Sequence, residues 1–220
     1  TSVSWYAETM NKNRELIAIL RGLTLDRCIT VGEILIAEGF SKLEVPLNSP
    51  NPMETISAMQ NTFGNSVTIG AGTVTNVSEV NELSNLGCQM IVSPNTDTEV
   101  IKATKNKGML SFPGAFTPSE CFSAINAAAD GIKIFPAFKL GIEGFKALKA
   151  VLPSNLKTYA VGGINETQFS DWLDAGVTGF GIGSNLFHPS MSEDDIQLAA
   201  RKIILAYDNW HAKKCYHLSK

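Results

Sequence analysis

Three charged residues interrupt apolar runs, where charge is costly. Lys133 sits in GIKIFP (131–136), Glu44 in KLEVPL (42–47), and Arg21 near the end of LIAILRG (16–22). Lysine is among the side chains least often buried whole. Three readings fit it here: an amine snorkelling to solvent, a structural partner of a carboxylate, or an imine-forming nucleophile. The apolar residues on either side of Lys133 favour the third. Burial lowers a lysine's pKa because the charged form loses hydration, and a neutral amine can attack a carbonyl. A nearby Arg21 presses the same way and offers a planar fork to a substrate carboxylate. Glu44, between Leu43 and Val45, needs a partner if buried. It can pair with Lys133 or Arg21. With a lysine in reach, proton transfer by a carboxyl of raised pKa is the favoured reading, and pairing in the resting state is compatible with it.

Two glycine-rich turns accompany these charges, VGGIN (161–165) with Gly162 and Gly163, and GIGSN (181–185) with Gly183 and Ser184. Amides free of side chains can approach a phosphate, and a short helix N-terminus following them adds its dipole. One such turn alone reads as a tight bend without a ligand; two at successive strand ends favour a phosphate site. The three histidines, His188, His211 and His217, form no cluster at the strand ends. A catalytic zinc site wants two or three convergent ones, so no metal and no cofactor are expected. Ser184 has no histidine base on its own turn, which argues against a serine nucleophile.

The elements that must position these residues repeat in one rhythm. Eight apolar runs, at 16–22, 42–47, 67–74, 89–94, 108–115, 131–136, 157–163 and 179–184, end in Gly or Pro or close to them and alternate with amphipathic stretches. Continuous apolar runs suit parallel strands covered on both faces. The spacing predicts helices over 24–38, 78–86 and 165–175, and TPSE (117–120) is a capping-box pattern. Strict alternation points to a (β/α)8 barrel formed by residues 1–220 as a single domain, with an extra N-terminal helix over 4–15. An open doubly wound sheet would want a Gly-rich loop after the first strand, where this chain has LRGLTLD. In such barrels the strand C-termini build the site. Those ends carry Arg21, Glu44, Thr73, Pro94 and Asn95, Pro113 and Gly114, Lys133, Gly162 and Gly163, and Gly183 and Ser184.

The formal net charge of -3, from 18 basic and 21 acidic residues, supplies no field for nucleic acid or an anionic membrane. With neither a membrane-length apolar run nor a signal-type start, a cytoplasmic location is the default expectation. Cys28, Cys88, Cys121 and Cys215 are scattered, which suggests buried reduced thiols rather than disulfides or zinc.

The ordered motifs LIAILRG, LEVPLNSP, IGAGTV, VSPN, FPG, IKIFP, VGG and GIGS resemble the strand ends of the 2-keto-3-deoxy-6-phosphogluconate/galactonate aldolases over nearly the whole chain. The resemblance implies a class I aldolase: Lys133 forms a Schiff base with the keto carbon, and Glu44 shuttles protons through a water. It also implies that Arg21 and Thr73 hold the pyruvate end, that Gly163, Gly183 and Ser184 bind phosphate, and that the protein is a homotrimer. The substrate would be a phosphorylated 2-keto-3-deoxy sugar acid, cleaved to pyruvate and glyceraldehyde 3-phosphate. The gluconate branch has an arginine where this chain has Asn48 and a threonine where it has Val161; both departures resemble the galactonate branch. Lys139, in the loop after Pro136, has no assigned role. Two rivals remain: a phosphosugar isomerase, and a non-catalytic phosphosugar-binding barrel. Neither needs an imine-forming lysine.

Overall fold

A computed structural model describes residues 14–218. The helix expected over 4–15 lies outside them, except for Arg14 and Glu15, which enter the first strand without regular structure. The strands are β1 (Leu16–Ile19), β2 (Lys42–Pro46), β3 (Thr68–Gly72), β4 (Met90–Val92), β5 (Leu110–Phe112), β6 (Gly114–Ala115), β7 (Ile132–Ile134), β8 (Thr158–Val161) and β9 (Gly179–Ile182). Between them run α1 (Cys28–Glu38), α2 (Pro52–Phe63), α3 (Val77–Asn85), α4 (Thr98–Asn106), α5 (Pro118–Asn126), α6 (Ala137–Lys149) and α7 (Phe169–Asp174), and α8 (Glu193–Leu218) follows β9.

All strand pairs are parallel, in the order β5-β4-β3-β2-β1-β9-β8-β7-β6. The two ends of that order, β5 and β6, are separated in the chain only by Pro113. They are the halves of one expected strand, and the sheet closes through that proline into an eight-membered barrel. Proline has no N–H to donate to a ladder, which splits the strand. The Pro113 carbonyl still accepts from the Lys133 N–H at 2.9 Å, tying β7 across the break.

Side chains alternate between two cores, because a strand has a period of two. Ile17, Ile19, Met90, Phe112, Tyr159 and Val161 meet inside the barrel. Leu43, Val45, Ile132 and Ile134 belong to the larger core shared with the helices. Of the apolar residues in its own run Lys133 therefore meets Phe135 but not its immediate neighbours: Ile132 and Ile134 face outward, and Lys133 shares the inward parity.

Local signals act where the chain places them. Thr117 Oγ1 accepts from the Glu120 N–H while Glu120 Oε2 accepts from the Thr117 N–H, completing the capping box that starts α5. Cys28, Cys88 and Cys121 are buried free thiols, and burial pushes Cys88 and Cys121 up to about 11. The side chain of Cys215 lies outside the described ones.

Candidate active site

The β1, β7, β8 and β9 ends enclose a cavity of about 250 Å³. Seven of the expected site residues line it: Arg21, Lys133, Val161, Gly162, Gly163, Gly183 and Ser184. Lys133, only 7% exposed, projects from the barrel interior. Its Nζ lies 4.6 Å from the Phe135 ring centroid. Desolvation lowers its pKa most; Glu44 opposes that shift and Arg21 adds to it, and the net direction is down.

Glu44 and Thr73 do not line this cavity. Glu44 is 2% exposed on β2, and its Oε2 has no hydrogen-bond partner among the described residues. It lies against β3 at Gly72, where an added Cβ would collide with the carboxylate, so glycine there makes room for it. Burial raises the Glu44 pKa most, the charges of Lys133 and Arg21 pull it down, and the result is about 7. Among the described residues no ion pair within 4.0 Å joins Glu44 to Lys133. Simple structural pairing is thus not the observed state. The two groups influence each other's charge without sharing a contact, as suits proton exchange near neutral pH. Thr73, directly after β3, has φ +60°. A β-branched residue in that region is strained, and such strain gathers at functional strand ends.

Arg21 is exposed, and its Nη1 donates to Asn48 Oδ1 at 2.5 Å. Next to it, the Gly22 N–H donates to Ser49 Oγ at 2.9 Å. The NS pair after β2 therefore holds the loop that carries the arginine.

The glycine turns differ from expectation in one respect. Asn165 caps its own short helix, with its side chain accepting from the Thr167 N–H. After β9 the chain makes one turn, closed by the Leu186 N–H on the Gly183 carbonyl at 2.8 Å, with no regular helix until Glu193. The two segments beside the cavity are thus turns rather than an open helix N-terminus. Gly162 and Gly163 have φ +97° and +69°, values that side chains rarely adopt. Asn185 Nδ2 donates to the Ile164 carbonyl at 3.0 Å, joining the two turns.

Phe135, Asn185, Phe187 and His188 also line the cavity. No sequence pattern marks them: the three histidines form no cluster in the chain, and His188 reaches the cavity through the irregular loop after β9. Lys139 does not line the cavity; it is exposed, with Nζ 5.2 Å from the Phe138 ring centroid. Among the described residues no group of three or more His, Cys, Asp or Glu is gathered as a metal-binding set.

The aldolase family model for KDPG and KHG aldolases matches residues 7–201. A probable 2-dehydro-3-deoxy-6-phosphogalactonate aldolase of Rhizobium meliloti (strain 1021) is 43% identical over 195 residues, 89% of this chain and 92% of the relative. The 2-dehydro-3-deoxy-6-phosphogalactonate aldolase of Escherichia coli (strain K12) is 42% identical over 192 residues, 87% of this chain and 94% of the relative. A solved structure described as native KDPGal superposes with a TM-score of 0.89 at 40% identity, covering 90% of this chain and 96% of that one. With a buried lysine and glutamate inside a parallel barrel whose sequence matches from before β1 into α8, the chain belongs to the KDPG and KHG aldolase family.

Proposed function

We propose that the protein is a class I aldolase that cleaves 2-dehydro-3-deoxy-6-phosphogalactonate to pyruvate and D-glyceraldehyde 3-phosphate. The observation that carries this reading is Lys133, a buried amine of lowered pKa at the floor of a cavity whose mouth holds two glycine turns. The names of the relatives at 42–43% identity support the galactonate substrate.

The neutral Lys133 amine adds to the C2 ketone. Glu44, poised near pH 7, supplies the proton with which the carbinolamine oxygen leaves as water. The resulting iminium draws electrons from the C3–C4 bond as a base takes the C4 hydroxyl proton. That bond breaks, glyceraldehyde 3-phosphate departs, and an enamine of pyruvate remains on the lysine. Protonation at C3 and addition of water return pyruvate and the free amine. Arg21, held by Asn48, suits the carboxylate, and Thr73 is assigned to the same end. Gly162, Gly163, Gly183 and Ser184 suit the phosphate, and Val161, which lines the same cavity, is assigned to the reacting carbons. A homotrimeric assembly belongs to the same reading and rests on the resemblance, and a cytoplasmic setting rests on the sequence pattern alone.

Borohydride added with pyruvate tests it. The expected product is protein carrying one reduced pyruvate on the 131–136 peptide, together with cleavage of the galactonate-derived acid. An adduct on Lys139, or none, would overturn the assignment.

A further inference from the structure

We propose that His188 binds the terminal phosphate of the substrate as a side-chain hydrogen-bond donor at the cavity mouth. This rests on the aldolase reading above and adds a ligand to it. His188 lines the cavity together with Gly183 and Ser184. Its ring is held in place by its own segment: the Ser190 N–H donates to Nδ1 at 3.2 Å, and Ser190 Oγ lies 2.8 Å from the same nitrogen. A ring nitrogen that accepts a backbone N–H carries no proton of its own, so in the neutral imidazole the proton sits on Nε2. The ring therefore offers a donor on a residue that faces the ligand space.

The segment that bears it is anchored as well. The Arg27 guanidinium donates to the Pro189 carbonyl at 2.8 Å and to the Met191 carbonyl at 2.9 Å. The Met191 N–H closes onto the His188 carbonyl at 2.9 Å. Pro189 packs over Gly22, leaving no room there for a Cβ. A donor fixed before the ligand arrives loses little freedom on binding. The Asn185 amide already donates to the Ile164 carbonyl, and Arg21 is assigned to the substrate carboxylate. Lys133 is buried and assigned to the chemistry and Arg21 to the carboxylate, which leaves the exposed His188 ring for the phosphate.

The test is aldol synthesis from pyruvate with D-glyceraldehyde 3-phosphate or with D-glyceraldehyde, using wild type, His188→Ala and His188→Gln. The ratio of kcat/KM for the phosphorylated over the unphosphorylated aldehyde is expected to fall about tenfold in His188→Ala, the size of one hydrogen bond to a charged group. Partial recovery is expected in His188→Gln, which keeps an N–H donor. Inhibition by inorganic phosphate should weaken in parallel. If wild type prefers the phosphorylated aldehyde and His188→Ala keeps that preference, the role of His188 is overturned while the aldolase reading stands. A wild type without the preference overturns the phosphate site itself.

Discussion

Glu15 and Glu44 occupy different levels of one barrel, and their surroundings treat them differently. Glu15, just before β1, accepts from Lys157 Nζ at 2.7 Å, Tyr159 Oη at 2.8 Å and Lys42 Nζ at 3.0 Å. Glu44 Oε2 accepts from nothing among the described residues. Burial pushes both carboxyls up and is the largest single influence on each. At Glu15 the contacts with Lys157, Lys42 and Tyr159 together outweigh it, and the group is held below the ordinary range. At Glu44 the cations Lys133 and Arg21 act without contact, burial wins, and the group reaches about 7. Contact turns a buried carboxylate into a structural tie, and withholding contact leaves it able to exchange a proton near neutrality.

The sharpest break in that comparison is Lys133→Met. Cleavage should be abolished, because no amine remains to form the imine. The fold should persist with an equal or higher Tm, since a thioether suits the barrel interior better than a buried amine with no ion pair among the described residues. Loss of Lys133 also removes the stronger of the two charges that hold the Glu44 pKa down, so that pKa should climb further. Cleavage retained in the variant would end the class I reading.

Next in size is a pair of isosteric changes. Glu44→Gln should lower kcat about 10²–10⁴-fold, the usual worth of a positioned proton carrier. Glu15→Gln should leave kcat within a few fold and lower stability by about 1–3 kcal/mol at pH 7, through lost charge-assisted hydrogen bonds. Urea unfolding across pH separates them further. The folded pKa of Glu44 is raised, so the cost of burying it is absent below about 4.5, grows as the unfolded chain ionises, and is complete above about 7. Glu44→Gln should therefore gain stability over wild type as pH rises through that window. The folded pKa of Glu15 is lowered, so its contribution is present above 4.5 and lost as pH falls through the folded value. The deficit of Glu15→Gln should shrink in acid. Parallel pH slopes for the two variants would contradict the contrast.

The same contrast marks what could be read from the sequence. The strand ends were legible because each closes an apolar run, and Arg21, Lys133, Val161, Gly163 and Ser184 do meet around one cavity. Side-chain parity was harder to see: β4, β5 and β7 are three residues long, and a run apolar on both faces hides which residues point inward. The neighbours of Lys133 thus read as its surroundings, although they face the helices. The break at Pro113 looked like a strand end because the missing N–H is visible in sequence and the continuing carbonyl bond is not. His188 and Asn185 sit in an irregular loop with no periodic signal, so their approach to the cavity depends on tertiary contacts alone.

The smallest expected effect concerns the C4 configuration, which the proposed function assigns to Val161. This residue is 6% exposed, lines the cavity, and lies on β8 in register with Gly181. Its isopropyl group gives the substrate no hydrogen bond, so a C4 hydroxyl directed at it gains nothing. A threonine there would offer one, and a site that bonds a hydroxyl discriminates better than an apolar one. Val161→Thr should shift relative kcat/KM toward the gluconate-derived epimer by roughly 0.5–1.5 kcal/mol, the net worth of one hydrogen bond. The swap is not neutral for folding, because a buried hydroxyl without substrate lacks its partner, and Tm should fall. A general loss of activity would therefore mislead, whereas the ratio between epimers cancels it. Cleavage of both epimers by both proteins supplies that ratio. If it is unchanged, Val161 does not read C4, and the galactonate assignment rests on the similarity to the relatives alone.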